Sequence, residues 1–439
     1  MTGLLLGEVF RSAARAVPHR TAAVLGERAL TFAGLDAAAD RAARFLAAHG
    51  VRRGDRVVCL AGASLGAAAL FAGAARAGAV FVPVDAGAGR ARVAEVVRAA
   101  GAGLLLTDAA RAEAGARLAR SSAVRHVVLP DVDDAPDGRT AEQPEQPLDQ
   151  TAEADPCVIV FTGSGRPRGV VLSHRVCVLR THPGCRPERN DVLVCGFAPG
   201  QWSAWAALLR QWQARGTAVL LERPDPVAIC QAVRGHGAER LVCAPGTWRG
   251  VLDTAPHHLA SLRCADIEAT GPPAAAPGLL EDIRTATPHA RVRAFLTSPE
   301  TGDVAVLDHA DARRRPDSCG LPAPGTEVRV AGGELYVRGP LLCDGYADGK
   351  EAAARDGWFR TGWPAAAEAD GHLCLQADSA AYEAAERAVG PAARGGRGAP
   401  PPPFGPRARG GASNPGPGVG PRGRGARGAH CPRTETAGG

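Results

Sequence analysis

The sequence predicts an α/β protein with two α/β lobes, whose mixed or parallel sheets are flanked by helices, a small β-barrel-like part and a disordered C-terminal tail. Three observations support this prediction. Apolar stripes at helical spacing alternate with short, partly β-branched runs through most of the chain. Shorter strands separated by glycine turns fill residues 318–362. Beyond about residue 391 no periodicity remains, and the composition is rich in Arg, Gly and Pro.

The first lobe is clearest between residues 30 and 85, where an apolar stripe predicts a helix that ends near Gly50. Three segments then alternate as strand, helix and strand, the pattern of a βαβ unit: 56–60, 64–79 and 80–85. Another helix near 91–100 leads to the strand-like GLLLT. The acidic residues with Pro, Gln and Thr at 131–155 predict a linker or surface loop.

The second lobe repeats the alternation, with helices predicted around 202–213 and 225–236. Its strand-like segments are VLVCGF (192–197), TAVLL (217–221), RLVCA (240–244), ADIEATG (265–271) and RVRAFL (291–296). In the barrel-like part, the sequence EVRVAGGELYVRG predicts a hairpin at Gly332–Gly333.

Composition limits the function classes. The chain has 439 residues, 45% of them hydrophobic, so a sizeable core is expected. The net charge is +6, but residues 391–439 hold eight arginines and one acid, a net charge of +7, and the rest is near −1. Nucleic acid is therefore not an expected partner of the body. The tail is either an arginine–glycine RNA-binding segment or a nonfunctional extension, such as an out-of-frame reading of GC-rich DNA.

The cysteines and apolar segments point to a cytoplasmic protein. Twelve cysteines are scattered without a CxxC pair, which favours buried thiols over disulfides or zinc. Two weak metal-site candidates are present: His182 with Cys185, and the pair His257–His258. No apolar run reaches the roughly 18 residues of a membrane span, and the N-terminal segment fits an amphipathic helix better than a signal peptide.

The most informative segment is Cys157–His174, CVIVFTGSGRPRGVVLSH. The apolar run 158–161 predicts a buried strand, and it opens into Thr162–Gly165, a turn of glycines and hydroxyls. Arg166 and Arg168 follow, and a second apolar run begins at once. Such a loop can direct backbone amides, hydroxyls and a guanidinium at one point, which is how proteins hold phosphates. The alternative is an ordinary glycine turn in a hairpin.

Other phosphate and catalytic motifs do not fit this loop. A dinucleotide-binding or Walker-type loop should open a helix, whereas this loop runs from strand to strand. Gly163 and Gly165 begin a GxGxxG pattern, but Arg168 occupies its last position. A nucleophile elbow needs a glycine two residues before Ser164, where Thr162 stands.

Several segments, in order along the chain, resemble the AMP-forming adenylate superfamily of acyl-CoA synthetases, luciferases and peptide-synthetase adenylation domains. These segments are LTFAGLDAAADRAARFLAAHGVRRGDRVVCLAG, GAARAGAVFVPVD, FTGSGRPRGVVLSH, EATGPP, SPETG, CGLPAPGTEVRV, GELYVRGPLLCDGY and DGWFRTG. The resemblance covers about residues 8–376. It implies a large adenylate-forming domain at 1–376 and a vestigial hinge and tail at 377–439. The parts of the large domain are the first lobe (1–155), the second lobe (156–312) and the barrel-like part (313–376).

The resemblance implies a two-step reaction. A carboxylate attacks the α-phosphate of ATP to give acyl-AMP and pyrophosphate, and a thiol then takes the acyl group. The implied cofactors are ATP, Mg²⁺ and coenzyme A, or a phosphopantetheine carrier in place of coenzyme A. The implied partners are a small-molecule carboxylic acid and, as acceptor, an acyl carrier protein. Because an anion must approach a polyanion, this chemistry depends on positioning and charge neutralisation.

Roles carried over from the family fall on a small set of residues. The resemblance assigns catalysis to Glu300, as the Mg²⁺-linked glutamate, and to Arg168, which stands where the family has lysine. It assigns nucleotide binding to Thr162, Gly163, Ser164, Gly165, Gly169, Gly271 and Thr361. The loop is about two residues shorter than the family's, and arginine is not interchangeable with lysine. The turn after Phe161 and Glu300 are expected to converge on one triphosphate–metal cluster.

Other positions depart from the family. Leu296 stands where an adenine-stacking tyrosine is expected, with Phe295 as a candidate replacement for the ring. Trp363 occupies the place of the ribose-binding aspartate. At the hinge only Asp378 matches, and Lys350, the single lysine of the chain, lies upstream of the family's catalytic lysine.

Two functions therefore remain open from the sequence. The first is an AMP-forming ligase of an organic acid, slow or completed by a domain supplied in trans. The second is an inactive nucleotide- or acyl-binding relic. Trp202 and Trp205 either line the acyl pocket or pack within a helix, and aliphatic, aryl and amino acids all remain open as substrates.

Overall fold

A computed structural model describes residues 3–85, 87–130, 151–162, 166–184, 191–271, 278–353 and 356–375. Most of the predicted linker at 131–155 lies outside these ranges. The hinge around Asp378 and the tail beyond residue 391 also lie outside them, so their predicted character stays a prediction.

Eleven helices lie in the described ranges. They are α1 (Leu6–Ala16), α2 (Phe32–Ala48), α3 (Leu65–Arg76), α4 (Arg90–Ala100), α5 (Ala112–Ser122), α6 (His174–Arg180), α7 (Trp202–Gln213), α8 (Pro226–Gly235), α9 (Pro245–Thr254), α10 (Leu279–Ala286) and α11 (His309–Arg314). None of these helices combines the length and the apolar character that crossing a membrane requires.

Twenty strands lie in the same ranges. The first ten are β1 (Thr21–Leu25), β2 (Arg28–Thr31), β3 (Arg56–Leu60), β4 (Val80–Pro83), β5 (Leu104–Thr107), β6 (Arg125–Val128), β7 (Pro156–Thr162), β8 (Arg168–Ser173), β9 (Val192–Cys195) and β10 (Thr217–Leu220). The others are β11 (Arg240–Cys243), β12 (Cys264–Thr270), β13 (Arg291–Ser298), β14 (Gly302–Leu307), β15 (Leu321–Pro322), β16 (Glu327–Ala331), β17 (Glu334–Arg338), β18 (Gly345–Tyr346), β19 (Phe359–Ala367) and β20 (Leu373–Leu375).

Two large sheets confirm the predicted α/β architecture. The first has seven strands in the order β18-β8-β7-β4-β3-β5-β6, and the second has nine in the order β15-β14-β13-β12-β11-β9-β10-β1-β2. The central pairs of both sheets, such as β3 with β4 and β11 with β12, are parallel, as βαβ connections require. The pairs β7–β8 and β13–β14 are antiparallel. One hydrophobic core joins the sheets, with Phe71, Phe81 and Trp205 in mutual ring contact.

Sheet membership does not follow a simple division of the chain at residue 155. β1 comes early in the sequence, yet it pairs in parallel with β10 of the nine-stranded sheet. Two side chains fix this pairing: Trp212 donates from Nε1 to the carbonyl of Ala22 at 3.0 Å, and Thr217 donates from Oγ1 to the carbonyl of Thr21 at 2.7 Å. Conversely, β18 lies late in the sequence, yet it extends the seven-stranded sheet.

The barrel-like part contains an antiparallel sheet of four strands in the order β16-β17-β19-β20. Gly332 and Gly333 join β16 to β17 with φ values of 60° and 79°. Both residues are in the left-handed region, as a two-residue type I′ turn requires, so the predicted hairpin is confirmed. A bridge between Gly320 and Leu373 ties this sheet to the segment that leads into β15.

A buried histidine at the start of α6 makes the fold sensitive to acid. His174 is fully buried, and its Nδ1 accepts from the backbone amide of Leu6 at 3.3 Å. Burial lowers the pKa of His174 from 6.5 to about 4, and the nearby charge of Asp155 opposes that shift. Because the folded-state pKa lies below the unfolded value, the neutral histidine favours folding only while the pH stays high. Its contribution is complete above about pH 6.5 and falls as the pH approaches 4.

We expect the free energy of unfolding to fall by roughly 3 kcal/mol between pH 7 and pH 4 through this one group. In His174→Gln that part of the pH dependence should disappear, because the replacement does not titrate. Urea unfolding at several pH values measures the difference, and His19→Gln, at an exposed position, is the control. Parallel pH profiles for His174→Gln and the unmodified protein would contradict the prediction.

Candidate active site

The segment singled out by sequence forms a hairpin. β7 pairs antiparallel with β8, with Phe161 opposite Gly169 and Thr162 opposite Arg168, so the predicted strand-to-strand loop is confirmed. The turn residues 163–165 lie outside the described residues, and their phosphate-binding role stays a prediction. Thr162 marks the last described position of β7, and its carbonyl accepts from Arg92 at 3.2 Å.

Gly169 is required by close packing within this hairpin. A Cβ atom at this position would lie 2.9 Å from the ring of Phe161 and 2.9 Å from the Cβ of Ala347. Both distances are shorter than real Cβ contacts, so a larger residue would push the strand away from its neighbours. The glycine thereby keeps β8 against the segment that contains Tyr346.

Arg168 lies against an aromatic ring. Its guanidinium carbon is 3.6 Å from the centroid of Tyr346, a cation–π contact that fixes the direction of the side chain. Tyr346 is 5% exposed, and burial raises the pKa of its phenol to about 12. The negative charge of Glu300 contributes to this increase, and the positive charge of Arg168 opposes it. Both charged groups therefore lie close enough to Tyr346 to act on its hydroxyl.

Glu300 lies in the turn between β13 and β14, and a buried arginine holds that turn. Arg180, at the end of α6, is 4% exposed. It donates to the carbonyls of Leu341 at 2.7 Å, Pro299 at 2.7 Å and Glu300 at 2.9 Å. Burial lowers the pKa of its guanidinium, and nearby acidic groups counter that effect. The helix that follows the hairpin thus fixes the backbone on both sides of the Glu300 carboxylate.

The segment 341–347 connects the Glu300 turn to the hairpin. Cys343 donates its amide to the carbonyl of Glu300 at 2.7 Å, and Ala347 donates to the carbonyl of Gly169 at 2.8 Å. Between them, Asp344 accepts from the amide of Ser173 at 2.6 Å. The segment thereby links the Glu300 turn to the hairpin that carries Arg168, and Tyr346 within it contacts Arg168.

Gly271 and Thr361 belong to a second group of predicted site residues. Gly271 has a φ of 96°, and a Cβ atom there would lie 3.7 Å from Nε1 of Trp363. Thr361 donates from Oγ1 to the carbonyl of Leu335 at 2.7 Å and accepts from the amide of Trp363 at 3.0 Å. The indole that replaces the expected aspartate therefore lies directly beside the pocket glycine.

Leu296 and Phe295, the two residues near the expected aromatic position, are both buried. Leu296 is fully buried against the barrel-like part. Phe295 is 1% exposed, and its ring lies 5.1 Å from the guanidinium of Arg293 in the interior. Consecutive strand residues point to opposite faces, and here both faces are covered. The role of Phe295 as a replacement for the stacking tyrosine stays a prediction.

Two of the three tryptophans of α7, Trp202 and Trp205, were candidates for the acyl pocket. Trp205 packs on Phe71 and Phe81 and donates to the carbonyl of Pro199 at 2.7 Å, as helix packing predicts. Trp202 instead lines a small polar cavity with Arg180, which also holds the Glu300 turn. Both tryptophans belong to the core that joins the sheets, and Trp202 also lines the cavity beside Arg180.

Sequence reasoning missed Arg180 and the buried charges near Trp202. The available signal was a charged residue within an apolar stretch, as in HRVCVLR (174–180) and AALLRQW (206–212). Such a residue is buried only when it has polar partners, so it marks a functional or organising position.

The two metal-site candidates from the sequence are not supported by a cluster of ligands in the described residues. Within the described ranges, no group of three or more His, Cys, Asp or Glu side chains is arranged to hold a metal ion. The rings of His257 and His258 are 4.4 Å apart, and His258 also contacts Arg234. Cys185 lies outside the described residues.

Comparison with known proteins supports the resemblance. Residues 10–347 match the family model described as AMP-binding enzyme. A feruloyl-CoA synthase of Amycolatopsis sp is 30% identical over 382 residues, which is 82% of this chain and 76% of the relative. A salicyl-AMP ligase / salicyl-S-ArCP synthetase of Mycobacterium tuberculosis is 29% identical over 421 residues, 85% of this chain and 73% of the relative.

The fold is also that of a solved structure. A protein described as a long-chain-fatty-acid CoA ligase from Rhodopseudomonas palustris superposes with a TM-score of 0.75 and 25% sequence identity. The similarity covers 85% of this chain and 98% of the other. The two α/β sheets and the small antiparallel sheet are therefore a known arrangement.

Proposed function

Because the chain belongs to the AMP-binding enzyme family, we propose that it activates an organic acid with ATP to an acyl-adenylate, for transfer to a thiol. The observation that carries this proposal is that one segment, 341–347, contacts both Arg168, through the ring of Tyr346, and the Glu300 turn, which Arg180 also holds. A cation and a carboxylate at one place suit a reaction in which an anion attacks a phosphate.

The proposed roles follow from this arrangement. Arg168, directed by the ring of Tyr346, neutralises phosphate charge, and the hydroxyl of Thr162 with those of the adjoining turn binds phosphate oxygens. A single carboxylate fits Mg²⁺, which is commonly bound by one or two carboxylates together with substrate phosphates. Glu300 would hold this ion, whose charge would help to neutralise the triphosphate. Gly271 and Thr361 would lie at the nucleoside.

We further propose that adenylation by this chain is slow. Arg168 replaces the expected lysine, and a guanidinium fixed on an aromatic ring moves less freely than an ammonium on a flexible stem. Lys350, the single lysine of the sequence, lies near the surface and pairs with Asp348 at 2.6 Å. Trp363 stands where a ribose-binding carboxylate is expected. Each change removes one interaction that would stabilise the reacting complex.

The names of the relatives indicate which thiol accepts the acyl group. Their names specify a coenzyme A thioester in one case and a carrier-protein thioester in the other. We therefore propose coenzyme A or the phosphopantetheine of an acyl carrier protein as the acceptor. A cytoplasmic location agrees with these acceptors.

An ATP–pyrophosphate exchange assay over aliphatic, aryl and amino acids, with calorimetry of AMP and Mg²⁺–ATP, tests the proposed function. We expect AMP and Mg²⁺–ATP to bind and at least one acid to support exchange. The proposal fails if neither nucleotide binds.

The alternative is a protein that binds a nucleotide or acyl-adenylate without turnover. The indole of Trp363 beside Gly271 is the observation that favours it, because the ring narrows the predicted nucleoside pocket. Binding without exchange for every acid of the panel would support this alternative, whereas measurable exchange would reject it.

A further inference from the structure

The first turn of α4 brings a second arginine to the hairpin that carries Arg168. Arg92 donates from Nη2 to the backbone carbonyl of Thr162 at 3.2 Å. Thr162 is the last residue of β7, and it lies directly opposite Arg168 in the register of the hairpin. One arginine therefore belongs to this end of the hairpin, and another, from a different part of the chain, is bound to it.

Arg92 supplies a hydrogen-bond donor where β4 cannot. β4 pairs in parallel with β7 at Phe81 and Val158, and it ends at Pro83. Thr162 lies beyond that end, so the backbone of β4 does not reach its carbonyl. A carbonyl that extends past its neighbouring strand needs another partner, and the guanidinium of Arg92 is that partner. The contact thereby fixes the end of β7.

The position of Arg92 is itself fixed by packing. Val93, Val96 and Val97 of α4 are buried in the same apolar cluster as Ile159 of β7. The helix therefore cannot shift relative to the strand without disturbing a close-packed interior. The side chain of Arg92 lies outside this cluster and is 26% exposed. A charged group is thus held at the hairpin without being removed from water.

The positive charge of Arg92 is only weakly neutralised by its own helix. Glu95 pairs with it at 3.8 Å between Nη1 and Oε2, which is longer than a hydrogen bond. The side chain of Glu95 is 46% exposed, and surface pairs of this kind contribute little. The sequence of the first turn of α4, RARV, contains no acidic residue. The end of the hairpin therefore has the charge of Arg92 in addition to that of Arg168.

We propose that Arg92 is a positioning residue for the phosphate chain of ATP. It keeps Thr162 in place beside Arg168 and adds a second positive charge, so it favours ligands with several phosphate groups over AMP. The inference rests on the proposed function, which places the triphosphate at Thr162 and Arg168. A polyanion gains more than a monophosphate from an additional cation, and the same interaction would hold the pyrophosphate that the reaction releases.

Calorimetry of Arg92→Met with Mg²⁺–ATP, inorganic pyrophosphate and AMP tests this role without requiring turnover. We expect the affinities for Mg²⁺–ATP and pyrophosphate to fall by about ten-fold, and the affinity for AMP to change by less than about two-fold. Because Arg92 lies at the surface of α4, the variant should remain folded, and its urea unfolding curve verifies this.

Two further variants separate this role from the mere loss of an arginine. Arg92→Lys keeps the positive charge and a donor, so it should recover part of the lost affinity for both phosphate ligands. Arg98→Met, at an exposed position near the end of the same helix, is the matched control. It should bind all three ligands as tightly as the unmodified protein.

The outcomes separate the two proposals. If neither ATP nor AMP binds to the unmodified protein, the proposed function falls and this inference falls with it. If both bind and Arg92→Met keeps its affinity for Mg²⁺–ATP and pyrophosphate, only this inference is overturned. An equal loss for AMP would also overturn it, because Arg92 would then support the nucleotide site as a whole rather than its phosphate chain. Arg92→Lys binding no better than Arg92→Met would exclude the proposed effect of the charge.

Discussion

Glu300→Gln is expected to lower ATP–pyrophosphate exchange by about 100-fold or more, roughly 3 kcal/mol of transition-state stabilisation. The amide keeps the size of the side chain and removes its charge, so the proposed Mg²⁺ site is lost while the turn remains. The backbone of the turn is held through the carbonyls of Pro299 and Glu300, which the substitution does not change. Stability should therefore be nearly unaffected.

The same variant gives a second readout that does not depend on turnover. In the unmodified protein Mg²⁺ should increase the affinity for ATP, and Glu300→Gln should lose most of that increase. Glu27→Gln, at an exposed position between β1 and β2, is the matched control for the loss of one negative charge. If Glu300→Gln binds Mg²⁺–ATP as tightly as the unmodified protein, Glu300 does not hold the metal.

Much of the fold follows from local patterns in the sequence. The helix predicted at 202–213 and the strand predicted at 56–60 match α7 and β3 residue for residue. Hydrophobic periodicity is enough to predict these two elements, because an element that buries one face or both faces has a recognisable pattern of apolar residues. The hairpin at Gly332–Gly333 is equally local, since two consecutive glycines favour the turn that joins its strands.

Pairing between distant segments could not be predicted in the same way. Nothing within Thr21–Leu25 shows that β1 joins β10 rather than the strands that follow it, because the bonds that decide come from Thr217 and Trp212. Likewise, Gly345–Tyr346 is too short to be read as a strand, although it joins the seven-stranded sheet. Such contacts depend on tertiary context rather than on propensity.

The candidate site also contains some residues that the sequence identified and others that only the structure shows. Family resemblance identified Arg168 and Glu300, but it gave no reason to expect Tyr346 against the guanidinium of Arg168. Arg180 was missed because its three acceptors are backbone carbonyls, which no sequence pattern displays. A buried arginine satisfied by carbonyls can be recognised only when the folded chain is known.

Arg180→Met is expected to destabilise the protein by about 3–5 kcal/mol. The substitution keeps much of the buried apolar stem but leaves the carbonyls of Leu341 and Pro299 without their donor, and each buried orphan costs roughly 1–3 kcal/mol. The carbonyl of Glu300 keeps the amide of Cys343 as a donor. Partial relaxation of the turn keeps the total below the upper limit of two such costs. Urea unfolding measures the change in the free energy of unfolding.

A purely structural role and a positioning role differ in what else changes. If Arg180 positions the Glu300 turn, Arg180→Met should also lose most of the Mg²⁺-dependent gain in ATP affinity, measured where the variant is still folded. Arg180→Lys should recover part of the stability, because an ammonium can reach some of the carbonyls. Arg175→Met, on the exposed side of the same helix, should change stability by less than about 0.5 kcal/mol. If Arg180→Met is destabilised but keeps the full Mg²⁺-dependent gain in ATP affinity, this arginine only stabilises the fold. If the stability of Arg180→Met is near normal, the argument from the buried carbonyls is contradicted.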